Sequence, residues 1–188
     1  MISWGVMHLR IISGKNRGLT LTAPDGLDTR PTLDRVREAV FNILFDRVVD
    51  ANVLDLFSGS GAMGIEALSR YASSCVFVDK DKNAINCITK NVKKSRNQEF
   101  STILYDDYSR FLKNYNGEGF DIIFLDPPYA LWNDGKILSG ILNSNIMKEN
   151  CILIAECDRN HALNYDGFCL TTKKDYGGVS IYLLTKGE

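Results

Sequence analysis

From Val53 onward short apolar runs alternate with helix-patterned segments, and that alternation restricts the chain to a parallel, doubly wound α/β sheet. The runs Val53 to Phe57, Cys75 to Asp79, Ser101 to Tyr105, Phe120 to Leu125 and Cys151 to Glu156 read as strands. Between them Ala62 to Arg70, Lys82 to Ser95, Tyr108 to Tyr115 and Ile137 to Met147 carry the helical spacing of apolar residues. The end breaks the pattern. Phe168 to Lys173 and Val179 to Thr185, joined across Gly177-Gly178, predict a terminal antiparallel hairpin where a dinucleotide-binding domain would continue β-α-β.

Upstream, Leu9 to Ile12 and Leu19 to Thr22 alternate in polarity around Ser13-Gly14-Lys15-Asn16-Arg17-Gly18, which predicts a β-hairpin. Between Met1 and Pro24 the chain carries Arg10, Lys15 and Arg17 and no acid. Such an edge suits contact with phosphate, or it is simply a solvated hairpin. Pro31-Thr32 then opens a helix, with Asp34 and Glu38 near its start and Val36, Val40, Ile43 and Leu44 on one face. These signals divide the chain into an N-terminal extension with the basic hairpin (1–30) and one α/β domain (31–188).

Bulk properties narrow the classes. At 188 residues the chain fits one domain with a real core, and its net charge of −1 excludes a protein that is basic throughout. No apolar run is long enough to span a membrane, and Met1 to Leu9 lacks the pattern of a secretory signal. Five cysteines without a Cys-x-x-Cys pair fit reduced thiols, so a cytoplasmic protein without structural zinc is expected.

The first strand runs into Asp55-Leu56-Phe57-Ser58-Gly59-Ser60-Gly61-Ala62-Met63-Gly64. Gly59, Gly61 and Gly64 match the dinucleotide fingerprint, and Asp79 ends the second strand where a ribose-binding acid belongs. NAD and S-adenosylmethionine both fit that pattern. Charge separates them, because a pyrophosphate is repelled by an acid at the position of Asp55 whereas a cationic methionine moiety is not. Phe57, Ser60 and Lys80, beside these acids and glycines, are further candidates for the cofactor site, as are Asp107 and Tyr108 after the third strand. Asp107 suits an adenine amino group and equally suits a helix N-cap. The closing hairpin also favours the methyl donor, since a seventh strand inserted antiparallel is the topology of class I methyltransferases.

The fourth strand ends in Asp126-Pro127-Pro128-Tyr129. Prolines cannot extend a ladder, so the tetrapeptide leaves the sheet in a preset shape at the edge where α/β folds bind ligands. An acid and a ring there point to a planar amine. Asp126 and the Pro127 carbonyl would accept hydrogen bonds from an exocyclic amine whose lone pair is otherwise spread into its ring, and Tyr129 would stack on the base. The base must be flipped or unpaired to reach such a pocket. These residues alone leave adenine and guanine open.

Four segments together resemble the bacterial 16S rRNA (guanine-N2)-methyltransferases of the RsmD type: Arg10 to Gly18, Arg30 to Asn42, Asp55 to Arg70, and Asp126 to Tyr129. The Arg30-Pro31-Thr32 helix start joined to the basic hairpin is the specific part, because Asp-Pro-Pro-Tyr also occurs in adenine amino-methyltransferases acting on DNA or RNA. The resemblance implies a Rossmann-like class I S-adenosylmethionine-dependent fold, with a mostly parallel seven-stranded sheet, helices on both faces and the hairpin in front. It implies methylation of the N2 amine of one guanine in 16S rRNA, on an assembled or partly assembled 30S subunit, by a monomer. Asp126, Pro127, Pro128 and Tyr129 would form the reaction site, and Asp55, Gly59, Gly61, Asp79 and Asp107 would hold the cofactor. Arg10, Lys15, Arg17, Arg30 and Arg35 would meet RNA phosphate or organise the mouth of the site, while Thr32 and Arg37 would brace the helix.

Overall fold

A computed structural model describes residues 9–24, 31–133 and 135–187, with residues 31–33 as backbone only. Helix α1 (Pro31–Leu44) precedes the alternating part: β1 (Asn52–Asp55), α2 (Ala62–Ser69), β2 (Ser74–Asp79), α3 (Lys82–Lys94), β3 (Ser101–Tyr105), α4 (Tyr108–Asn114), β4 (Phe120–Leu125), α5 (Lys136–Leu142) and β5 (Met147–Asp158). A hairpin of β6 (Phe168–Tyr176) and β7 (Val179–Lys186) closes it. The sheet has seven strands in the order β3-β2-β1-β4-β5-β7-β6. β7 enters antiparallel between β5 and β6, while the pairs from β3 through β5 are parallel. The terminal hairpin therefore stands where the apolar pattern placed it.

The largest departures from the expected boundaries are at α5 and β5. α5 stops at Leu142, because Asn143-Ser144-Asn145 turns the chain, and Ile146 and Met147 pass to the sheet side of that turn. β5 begins at Met147 and is longer than its apolar stretch, since it also takes in Lys148, Glu149 and Asn150, which are polar and half or fully exposed.

Side chains alternate between the two faces of each central strand. Val53, Phe77, Phe124 and Ile154 join the core under α1, α2 and α3, while Leu54, Val78, Leu125 and Leu153 join the core under α4 and α5. α1 presents Val36, Val40, Phe41 and Leu44 to the first of these cores, with the Phe41 ring 5.7 Å from Phe124. Cys75, Cys87, Cys151 and Cys157 are buried and Cys169 is exposed.

Residues 9–21 double back with one antiparallel bridge, Arg10 to Thr20, and with Leu21 N–H donating to the Leu9 carbonyl at 2.6 Å. A longer ladder does not form because the next donors are taken elsewhere. Ile12 and Ser13 give their N–H groups to the Glu66 carboxylate on α2, at 2.7 and 3.0 Å. Glu66 is 0% exposed, and it also accepts from Arg70 Nε at 2.7 Å and lies 3.8 Å from Arg37 Nε. Arg37 in turn donates to the Arg10 carbonyl and to Asp34, so α1, α2 and the N-terminal segment meet at one buried ion cluster. Gly14 seals the contact. Its φ is +79°, and a Cβ there would lie 1.8 Å from the Ser69 carbonyl oxygen, which accepts from Lys15 N–H.

Removing one member of a buried ion cluster leaves the others desolvated and unpaired. Glu66→Ala is expected to lower unfolding free energy by about 3 kcal/mol or more, seen as a drop in the urea midpoint. Glu66→Gln should recover only part, because one amide oxygen cannot serve two N–H groups and Arg70.

Candidate active site

The carboxyl ends of β1, β4 and β5 open into a cavity of about 220 Å³ beneath α1, which supplies Val36, Arg37 and Val40 to its wall. Its floor is apolar, with Phe124, Ile154 and Ile181, and its charged lining is Arg37, Asp55, Asp126 and Glu156. The pleat explains the acids. Asp55, Asp79, Asp126 and Glu156 each follow by two positions a residue of the core under α1 (Val53, Phe77, Phe124 and Ile154), so all four belong to the same face.

Register sets their depth. Asp55 is paired with Phe77 on β2 and Phe124 on β4, two residues short of Asp79 and Asp126. At the rise of a parallel strand Asp55 sits about 7 Å deeper than those two. Leu125 is paired with Ala155, so Asp126 and Glu156 stand level one step beyond, on strands about 4.8 Å apart. Asp79, Asp126 and Glu156 therefore stand at the edge of the sheet and Asp55 lies below it, with Asp79 outside the cavity lining.

Asp55 is 4% exposed and accepts from Gly64 N–H at 3.0 Å. Burial first, then the charges of Asp79 and Asp126, push its carboxyl up to about 7. Asp126 is open to solvent on its outer side, yet the walls around its carboxyl raise it to about 6. Burial and the neighbouring Asp126 raise Glu156 to about 8. Asp79 accepts from Gly59 N–H at 2.8 Å and from Asp81 N–H at 2.9 Å, which ties the glycine turn to β2. Gly64 permits this close fit, since a Cβ there would meet the Phe77 ring at 2.3 Å.

Of the residues singled out in the sequence, Asp55, Phe57, Gly59, Ser60 and Asp126 line the cavity together. Gly61, with φ +75°, caps α2 just behind it. Lys80 is exposed on the turn after β2. Asp107 caps α4 by accepting from Ser109 N–H at 2.9 Å, and the Ser109 hydrogen bonds hold its carboxyl below the usual range. Tyr108 stands with its ring 5.3 Å from Phe57, extending that wall toward β3. Pro127 is buried, whereas Pro128 and Tyr129 are exposed, and Tyr129 lines a second cavity with Trp132, Asn160 and His161.

Arg10, Lys15, Arg17 and Arg35 are exposed, and Lys15 Nζ lies 4.9 Å from the Phe100 ring centroid. Arg30 and the Thr32 side chain lie outside the described residues. Arg37 braces α1 as expected and also reaches the cavity wall, which the sequence did not indicate. Glu156 was missed as well, although its signal was present: it follows Ile154 as Asp126 follows Phe124.

A cavity ringed by acids fits a cationic ligand, because crowded carboxylates resist ionisation until a positive charge offsets them. The acids are spread along the sheet, and among the described residues no group of three or more His, Cys, Asp or Glu is placed to hold a metal ion. The Asp55 carboxyl keeps its proton in the native protein up to about 7, whereas an unfolded Asp loses it near 3.9. The native state thus binds more protons between those values, and stability must fall as pH rises through them. Asp55→Asn is expected to flatten part of that slope, measured as urea midpoints from about pH 4 to 7.

Comparison with known proteins bears on both fold and family. Residues 9–185 match the family model described as Conserved hypothetical protein 95. YlbH of Bacillus subtilis is 38% identical over 180 residues, covering 93% of this chain and 98% of that protein. Ribosomal RNA small subunit methyltransferase D of Haemophilus influenzae is 34% identical over 179 residues, covering 94% and 93%. The solved structure of yhhF from Escherichia coli superposes with a TM-score of 0.84 at 32% identity, over 94% of this chain and 97% of that one. The chain has the class I methyltransferase fold and belongs to the Conserved hypothetical protein 95 family, alongside the ribosomal RNA small subunit methyltransferases D.

Proposed function

We propose that this protein methylates the exocyclic N2 amine of a guanine in 16S rRNA, within an assembled or partly assembled 30S subunit, using S-adenosylmethionine. The observation that carries this reading is the opening of Asp126 into the same cavity as Asp55 and the glycine turn. A methyl donor and an amine acceptor can then meet within one enclosed volume. The names of relatives as small subunit rRNA methyltransferases support the choice of nucleic acid. When bound, S-adenosylmethionine supplies an electrophilic methyl group on a cationic sulfur.

The residues divide that work. Asp79 and the N–H groups around Gly59 hold the ribose end, Phe57 and Tyr108 wall the base of the cofactor, and Asp107 with Lys80 borders it. Asp55 lies deepest and favours the positive end of the methionine moiety. Asp126 and the Pro127 carbonyl accept from the two hydrogens of the target amine, freeing its lone pair from the ring. Pro128 fixes the turn and Tyr129 covers the target base. Arg10, Lys15, Arg17, Arg30 and Arg35 contact phosphate, and a monomer in the cytoplasm suffices for the reaction.

The test uses 30S particles lacking the modification and a donor with a labelled methyl group. Label should appear as N2-methylguanine, and Asp126→Ala should lower kcat by at least about 100-fold with cofactor affinity kept. Label on adenine would instead favour an adenine amino-methyltransferase. Lys15→Ala combined with Arg17→Ala should raise KM for the particle by about tenfold, leave kcat near wild type, and reduce the salt dependence of binding.

A further inference from the structure

Glu156 has no part in the function assigned above, yet it lines the same cavity as Asp126. It stands on β5, on the side of β4 away from β1 and the glycine turn. The sheet order therefore runs from the cofactor side (Asp79 on β2, Asp55 on β1) through Asp126 on β4 to Glu156 on β5. With the cofactor on the side of β1 and β2, the room left for the edge of a base beyond Asp126 lies toward β5, where Glu156 lines the cavity.

The atom next to the amine differs between bases. In guanine the exocyclic N2 amine is followed by the ring N1–H, so two neighbouring positions are both donors. In adenine the amine is followed by an N1 lone pair. A carboxylate accepts from the first and repels the second. We propose that Glu156 is a specificity-determining residue that accepts the ring N1–H of the target guanine beside the amine held by Asp126. This inference rests on the guanine-N2 reading.

The position of Glu156 is well fixed for such a role. Its backbone carbonyl accepts from Trp132 Nε1 at 3.0 Å, and its strand is paired on both sides, through Leu125 with Ala155 and Glu156 itself with Ile181. The charged groups that line the cavity with it are Asp126 on β4, Asp55 on β1 and Arg37 on α1; Ile181 on β7 carries no charge. Cys157, next in the chain, belongs to the core on the opposite face. Burial and the neighbouring Asp126 hold Glu156 above the usual carboxylate range in the free protein, so its acceptor form grows as pH rises.

The experiment compares wild type, Glu156→Gln and Glu156→Ala on 30S particles lacking the modification. Melting temperature and S-adenosylhomocysteine affinity by calorimetry verify that each variant is folded with its cofactor site intact. Expected for Glu156→Gln are a fall in kcat/KM of at least about tenfold and weaker particle binding in the presence of S-adenosylhomocysteine. The wild-type kcat/KM should rise with pH above neutrality more steeply than that of Glu156→Gln.

A second measurement keeps the test open should a variant be unstable. Particles reconstituted with 2-aminopurine at the methylated position retain the amine and lack the N1–H. Wild type should favour guanine over 2-aminopurine by about tenfold or more, and in Glu156→Gln that ratio should fall toward one. Guanine methylated at N2 by wild type, with unchanged kcat/KM, pH profile and base preference in Glu156→Gln, overturns the role of Glu156 alone. Methyl on adenine, or no transfer by wild type, overturns the guanine-N2 reading and this inference with it.

Discussion

The buried carboxylate of Glu66 organises the molecule more than any other group. It lies on α2, the helix that begins where the glycine turn ends, and it takes hydrogen bonds from Ile12 and Ser13 of the N-terminal segment and from Arg70, with Arg37 of α1 close by. A charge of that kind is stable only when its partners stay in place. Three pieces distant in sequence are thereby held in one arrangement. The cavity under α1 exists because α1 is fixed at that height above β1, β4 and β5.

The same cluster explains why the basic segment does not float free. Its backbone donors are spent on Glu66 and Ser69 while the side chains of Arg10, Lys15 and Arg17 face solvent. Exposed cations on a clamped backbone form a surface with little ordering cost on contact with a polyanion. This offers one physical route by which a chain of net charge −1 could engage RNA: the charges are few, and they are placed beforehand.

Much of the fold was readable from the sequence. β3 and β4 begin and end where their apolar runs do, and the closing hairpin was marked by Gly177-Gly178 between two strand-like stretches. The end of α5 was misplaced because Ile146 and Met147 continue an apolar spacing that Asn143 and Ser144 interrupt only locally. Glu66 was unreadable as a cluster centre, since Ile12 and Ser13 lie 54 and 53 residues away and only Arg70 is a local partner. In the site, Asp55, Asp79 and Asp126 were found from motif spacing, whereas Glu156 belongs to no motif. Its spacing from Ile154 hints at the shared face, and its register against Asp126 places the two acids on one edge.

The pleat that aligns the four acids also limits how the chain can vary in length. One residue inserted within β1, β2, β4 or β5 would turn the acid at its end toward α4 and α5, although the strand itself would still pair. The apolar positions would be exchanged between two cores that are both hydrophobic, so the pattern of burial would survive while the acid left the site. An insertion that spares the site therefore has to fall in the turns beyond the strand ends, and the central strands behave as rulers whose count of residues is itself functional information.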